Sequence, residues 1–236
     1  MDLSATAELL IVMPVYNEEE SLGKVVDEWS PVLEKTRGHL LLINDGSKDD
    51  TIEVVKRKAQ QYPWLKYIDR ANKGHGPTIL EGYHYAIDHH YKWVFQTDSD
   101  GQTRPAEFLP FWDQRAQHPF LFGRRGHRGD GKGREIISLV LRTLIKLIFG
   151  VWLRDANVPF RLMNTEKLMP LLKKIPPDFF LANSLLSVII AKKYPIKWFD
   201  ITFEIRKGGI ASIRWGRFVT VGIKAMKDFW NLRKYV

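Results

Sequence analysis

Over its first hundred residues the chain alternates between short apolar runs and longer segments with a helical apolar period. Leu9–Val15, Leu40–Ile43, Leu65–Ile68 and Trp93–Gln96 are the short runs. Between them, Glu19–Lys35 (apolar at Leu22, Val25, Val26, Trp29 and Leu33), Asp50–Gln61 and Ile79–His89 follow the period of a helix. Short buried strands that alternate with amphipathic helices are βαβ units, and repeated units stack into a parallel sheet covered by helices on both faces. The expected fold is therefore α/β, a mostly parallel central sheet flanked by helices. At 236 residues with 44% hydrophobic content, the chain suits one domain with a sizeable core. No repeat, low-complexity tract or linker divides residues 1–236.

The second half is less regular. Phe120–Phe122 reads as a strand, Gly126–Gly133 as a Gly-rich basic loop, and a long helix is expected from about Arg134 to Val151. Helices near Thr165–Lys174 and Ala182–Lys193 follow, then a strand over Ile196–Ile205 and a basic C-terminal helix. The first 118 residues hold 13 Lys and Arg against 19 Asp and Glu, whereas residues 119–236 hold 23 against 8. An acidic half suits a metal; a half at +15 should face phosphates, nucleic acid or a lipid surface. The chain has no cysteine, which excludes disulfides, thiolate metal sites and thiol nucleophiles and suits a reducing compartment. Met1–Glu8 has no signal-peptide character. A membrane span over Ile136–Leu153 is not expected, because Arg142 and Lys146 would each cost about 2.5–3.5 kcal/mol at a helix centre.

In parallel sheets ligands gather at the carboxyl ends of strands, so the loops after Val15, Ile43, Ile68 and Thr97 are the candidate site. After the fourth strand come Thr97-Asp98-Ser99-Asp100-Gly101-Gln102. At strand spacing Asp98 and Asp100 project to one side, and two converging carboxylates repel unless a cation lies between them. An all-oxygen set of this kind suits Mg²⁺ or Mn²⁺ completed by substrate phosphates. After the first strand, Asn17 and the acids behind it read as a helix N-cap with Glu in the first turn, and Tyr16 offers a ring for a base. In Asn44-Asp45-Gly46-Ser47 a turn with an N-cap suffices, yet Asp45 is also placed to accept from a base or ribose. Asn72-Lys73-Gly74-His75-Gly76 opens a helix with backbone N–H groups suited to an anion. His75, His89 and His90 read as surface residues, since adjacent helical histidines diverge by about 100°.

The segments VMPVYNEEESL, LLINDGSKDDT, NKGHGPTILEG, TDSDGQTRPAEF, GRRGHRGDGKGREIIS and DANVPFRLM together carry a resemblance. The sequence resembles the family-2 glycosyltransferases with the GT-A nucleotide-diphospho-sugar fold, and within them the dolichol-phosphate mannose synthase-like branch. The resemblance covers about residues 9–165 and implies roles. Pro14, Tyr16, Asn17, Glu18 and Asp45 match the segments that hold base and ribose, with Lys73 in the phosphate-side loop. Asp98 and Asp100 match the metal and diphosphate motif, and Gln102 the residue that helps coordinate the metal. Arg124 matches an arginine near the phosphates, Arg134 and Ser138 the pair flanking them, and Asp155 the segment close to the sugar. On this reading residues 9–123 form the nucleotide-sugar half and residues 124–236 the acceptor half.

Two departures bear on the acceptor. Many family members carry a catalytic base near residues 178–185, where this chain has one acid, Asp178; and the C-terminal transmembrane helices of many polyprenyl-phosphate enzymes have no counterpart in the sequence. A sugar hydroxyl needs a base, but a phosphate monoester with a second pKa near 6 is already an anion and needs cations to hold it beside the donor diphosphate. Arg124, Arg125, Arg128, Lys132 and Arg134 supply them. The expectation is an inverting, metal-dependent transfer to a polyprenyl phosphate at the cytoplasmic face of a membrane, the alternative being a hydroxyl acceptor with Asp155 or Asp178 as base. A stripe of Arg134, Ser138, Arg142, Lys146 and Gly150 fits either an interfacial helix or a core helix with its polar side out. Trp215, Arg217, Phe218, Lys224, Lys227, Phe229, Trp230, Arg233 and Lys234 form a second basic-aromatic element. A membrane-embedded partner and self-association are both compatible with these features; nucleic acid is not an expected partner, because a basic binder leaves the acidic strand-end motifs without a role.

Overall fold

The four apolar runs are strands β1 (Leu9–Val15), β2 (His39–Asp45), β3 (Leu65–Arg70) and β4 (Trp93–Thr97). Helices α1 (Leu22–Thr36), α2 (Thr51–Gln61) and α3 (His75–Asp88) join them. The structure is a computed structural model that describes residues 7–128, 132–204 and 215–235, without the side chains of residues 127, 128, 132–136, 215–221 and 223. Seven strands form one sheet in the order β3-β2-β1-β4-β6-β5-β7, with β5 (Phe120–Arg128), β6 (Phe160–Asn164) and β7 (Lys197–Phe203) completing it. All pairings are parallel except those of β6, which runs against both β4 and β5. β6 was not expected: it is five residues long and carries an arginine in mid-strand.

The chain steps outward from β1 through β2 to β3, then returns to β4 on the other side of β1. That reversal opens a crevice at the carboxyl ends of β1 and β4, where open α/β sheets bind ligands. On one face the sheet packs an aromatic cluster under α1: Phe95 meets Phe108 at 4.5 Å, Phe160 at 4.7 Å and Trp29 at 5.7 Å. Alternation along β4 turns Gln96 to the opposite face, toward Tyr83 of α3 and Asn183 of α7 (Ala182–Lys193).

The remaining helices are α4 (Leu109–Asp113), α5 (Lys132–Phe149), α6 (Thr165–Leu172) and α8 (Trp215–Leu232). α5 and α8 pack together through Phe149 and Phe229, whose rings lie 5.7 Å apart. The side of α5 that meets solvent is not only its polar stripe, of which Lys146 and Gly150 are exposed. Ser138 and Arg142 are half-buried, with the Arg142 guanidinium 4.5 Å from the Trp152 ring, while Leu139, Val140 and Leu147 are exposed, Leu147 by 76%. Met226 and Trp230 of α8 are exposed as well. Among the described residues no helix is long and apolar enough to cross a membrane.

α3 lies close on β1 because it carries glycine at the crossing: a Cβ at Gly82 would stand 2.2 Å from Val12 Cγ1. Gly82→Ala therefore sets a helix-propensity gain of about 1 kcal/mol against an overpacking loss of about 1–3 kcal/mol. The net expectation is a lower urea midpoint at unchanged slope; an equal or higher midpoint would show that the helix shifts freely.

Candidate active site

The loops after β1 and β2 are laced to each other. Asn17 adopts a left-handed backbone (φ 53°), its N–H donates to Ser47 Oγ at 2.9 Å, and its Oδ1 accepts from Lys48 N–H at 2.8 Å. Glu18 N–H donates to Thr51 Oγ1 at 2.8 Å and Asp50 N–H to Glu19 Oε2 at 2.9 Å. Asn17 is thus not the N-cap expected of it. α1 begins five residues later, because residues 17–19 are committed to the neighbouring loop. The lacing buries Glu18, which accepts from Ser21 Oγ, and leaves Tyr16 exposed beyond buried Pro14.

Asp45 is nearly fully buried, and its carboxylate already has partners. It pairs with Arg70 and accepts from the backbone N–H groups of Lys73 at 2.8 Å and Gly74 at 2.9 Å. The Gly-rich opening of α3 does hold an anion as expected, but these two N–H groups hold an internal one. Arg70 in turn donates to Glu81 and Thr78, so the loop after β3 is fixed to α3 by one charge network. His75, His89 and His90 are exposed.

β4 ends at Thr97, and residues 98–103 form a turn about Gly101 (φ 68°). The turn, rather than strand alternation, brings Asp98 and Asp100 within mutual repulsion. Burial, then Asp100, push the Asp98 carboxyl up to about 8, with Arg125 and Arg161 acting in the opposite direction. Asp98 Oδ1 is sealed from solvent and has no hydrogen-bond partner among the described residues. Gln102 is buried; its Nε2 donates to Glu204 O at 2.7 Å and its own carbonyl accepts Glu204 N–H at 2.8 Å.

On β5 the side chain facing this site is Arg125, one residue beyond the arginine expected. Adjacent strand residues point to opposite faces. Arg124 has a side chain 41% exposed and is forked onto Asp200 of β7 at 2.5 and 2.8 Å. Arg125 has a side chain only 11% exposed and is forked onto Asp155 at 2.7 and 2.8 Å. Arg161 lies fully buried on β6, directly opposite Gln96. Asn183 is buried at the start of α7, its Nδ2 without a partner, as is Gln96 Nε2; both amides meet the Tyr83 hydroxyl. Asp178 is exposed, and Ser138 sits half-buried on α5. The side chains of Arg134, Arg128, Lys132, Trp215, Arg217 and Phe218 lie outside the described residues. Arg125 stood among the expected phosphate-holding arginines without a place of its own, whereas Arg161 and Asn183 are residues of this cluster that sequence reasoning missed. The parity of β5 would have placed Arg125; an arginine and an amide inside apolar runs were the signal for the other two.

The residues fit a hard divalent cation. Two oxygen-donor carboxylates repel, and one oxygen is orphaned and buried. Among the described residues no group of three or more His, Asp or Glu side chains is arranged to hold an ion, so substrate oxygens would complete the shell.

The sheet is that of an open α/β fold, with two acidic side chains at its switch point. The model of glycosyl transferase family 2 matches residues 10–181, and the chain belongs to that family. It is 30% identical over 179 residues to a dolichyl-phosphate beta-glucosyltransferase of Trichomonas vaginalis, covering 69% of this chain and 54% of that one. It is 26% identical to the polyprenol monophosphomannose synthase of Mycolicibacterium smegmatis, over 69% of this chain and 64% of that one. The chain thus spans little more than half the length of the first of these relatives, and both agree with the dolichol-phosphate mannose synthase-like branch. A solved structure of glucosyl-3-phosphoglycerate synthase from Mycobacterium tuberculosis, in complex with Mn²⁺, uridine diphosphate and phosphoglyceric acid, matches at TM-score 0.68 and 17% identity, covering 95% of this chain and 78% of that one. That likeness shows the shared GT-A fold.

The raised Asp98 carboxyl makes a signed prediction for the metal-free protein. Because its folded value lies above the usual carboxylate range, the folded state binds more protons than the unfolded one between about pH 4 and about pH 8, and stability falls as pH rises through that window. Asp98→Asn removes this slope. Thermal melts should show the variant gaining on the parent from about pH 5 to about pH 8, by no more than about 1.4 kcal/mol per unit. A gap that narrows with rising pH would contradict this account of the site.

Proposed function

We propose that this chain transfers a sugar, with inversion, from a nucleotide-diphospho-sugar to a polyprenyl phosphate at a membrane surface. The observation that carries the proposal is the carboxylate pair at the switch point with the sealed Asp98 oxygen. Asp98 and Asp100 would hold Mg²⁺ or Mn²⁺ against the donor diphosphate, with Gln102 tying their turn to the end of β7. The cation supplies charge neutralisation for the departing nucleoside diphosphate. Tyr16 offers its exposed ring to the base, and Asp45 holds the wall made by Lys73 and Gly74. Residues 9–123 are then the donor half and residues 124–236 the acceptor half. As the bond between the anomeric carbon and the diphosphate oxygen breaks, an acceptor oxygen bonds that carbon from the opposite face.

The acceptor reading rests on what surrounds the sugar position. Asp155 is committed through both oxygens to Arg125, Asp178 is exposed, and α7 opens on Ala182-Asn183-Ser184 with no carboxylate. A nucleophile that is already anionic needs no proton acceptor there. Arg125, together with Arg134 and Ser138 of α5, is the candidate set for two adjacent phosphate groups. Leu139, Val140, Leu147, Trp152, Met226 and Trp230 are exposed apolar side chains on and beside the packed helices α5 and α8, which also expose Lys146, Lys224, Lys227 and Arg233. Helices that expose apolar and basic side chains together suit the interface of an anionic membrane, here assigned to the cytoplasmic side.

The decisive assay follows nucleoside diphosphate release from a panel of nucleotide sugars with Mn²⁺, with and without a short polyprenyl phosphate. Release is expected to require the lipid phosphate and to vanish in Asp98→Ala and Asp100→Ala. Lipid-independent release would move the acceptor to a hydroxyl, and absence of metal-dependent nucleotide binding would sink the transferase reading.

For the membrane face, Leu147→Glu and Trp230→Glu should each weaken co-sedimentation with anionic vesicles by about tenfold, the scale set by one lost apolar anchor and one added negative charge. Unchanged binding in both variants would place the membrane contact elsewhere.

A further inference from the structure

Beneath the carboxylate pair lies a buried polar layer for which the transfer chemistry above has no use. Its centre is Arg161, fully buried in β6 between Gln96 on β4 and Phe122 on β5. Its Nε and Nη2 donate to Val158 O at 3.0 and 2.7 Å. Its Nη1 donates to Asn183 O at 3.1 Å and Ser187 Oγ at 3.3 Å, and its guanidinium lies 4.6 Å from the Phe122 ring centre. Ser187 Oγ also contacts Ala156 O at 3.1 Å and Asn183 O at 2.7 Å. The segment from Asp155 to Val158 is therefore fastened to the first two turns of α7 at two of its carbonyls.

A buried guanidinium is a costly way to fill this space; an apolar side chain of similar size would avoid the desolvation. What the arginine adds is a planar fork that reaches two carbonyls of separate elements at once, which a lysine ammonium does not reproduce. The carboxyl groups acting on it are Asp155 and Asp98, so its charge also sits under the acidic side of the site. The fastened segment begins with Asp155, whose carboxylate orients Arg125.

We propose that Arg161 is a positioning residue for sugar transfer: it clamps the Asp155–Val158 segment to α7 and so sets where the Asp155–Arg125 pair stands relative to Asp98. The inference rests on the transferase reading given above, and its test separates the two. Arg161→Met removes charge and fork; Arg161→Lys keeps the charge alone. Both are compared with the parent by amide hydrogen exchange over residues 155–160 and 182–187, and by kcat and donor KM well below each melting temperature.

The expected result is exchange faster by about tenfold in those two segments in both variants. Alongside it, kcat should fall by about a hundredfold, the usual effect of a misplacement near 1 Å, with donor KM within about threefold. A purely structural arginine would lower the melting temperature and leave the kcat-to-KM split untouched, which would overturn the proposal. Parent-like protection in Arg161→Met, or parent-like kcat in Arg161→Lys, would overturn it as well. If neither variant folds, Ser187→Ala loosens the same segment without removing a charge and should shift both readouts in the same direction; no shift counts against the clamp. A parent that shows Arg161-dependent protection but releases no nucleoside diphosphate would overturn the transfer reading while the clamp itself stands.

Discussion

Repulsion between Asp98 and Asp100 is the constraint to which the rest of the site responds. A carboxylate driven out of water beside another carboxylate is unfavourable unless opposite charge is brought near. The chain supplies that charge from below and from the side, through Arg161 and Arg125, and keeps both arginines short of a direct ion pair with Asp98. Partial compensation leaves the Asp98 carboxyl raised. A protein selected for stability alone would have neutralised it; one that takes up a cation with each anionic substrate needs the repulsion to persist.

The same economy of charge recurs one strand away. Asp45, Arg70 and Glu81 form a closed network that consumes the N–H groups of Lys73 and Gly74. The loops after β1 and β2 tie each other down through Asn17, Ser47, Lys48 and Thr51. These bonds hold three strand-end loops in place before any ligand arrives, so ordering them is not charged to binding. Tyr16 is left outside the lacing, which is where a stacking surface has to be.

The strands that bury both faces were readable because burial on both sides demands a continuous apolar run, and β1, β2 and β4 are such runs. β6 was not readable, since its burial depends on neutralising Arg161 through backbone carbonyls 3 and 22 positions away. The D-x-D motif was legible as chemistry but not as geometry, because a turn at Gly101 replaced the strand spacing. Which of Arg124 and Arg125 turns toward Asp155 depends on strand parity, which only the pairing of β5 fixes. Likewise the stripe on α5 could be listed from the sequence, but which side faces solvent depends on where α8 and Trp152 sit.

That last point bears on how the acidic site would meet the proposed lipid acceptor. α5 follows directly on β5, whose Arg125 reaches the site through Asp155, and the exposed side of α5 is apolar. One element therefore leads from the charged crevice to a surface suited to acyl chains. A phosphate headgroup drawn toward the arginines would leave its isoprenoid tail along that face, with no need to bury the tail in the domain. In such an arrangement the apolar exposure of Leu139, Val140 and Leu147 and the half-burial of Arg142 against Trp152 have a common cause. On the proposed acceptor reading, an apolar outer side of α5 would take the lipid while the half-buried Arg142 braces Trp152 beneath it.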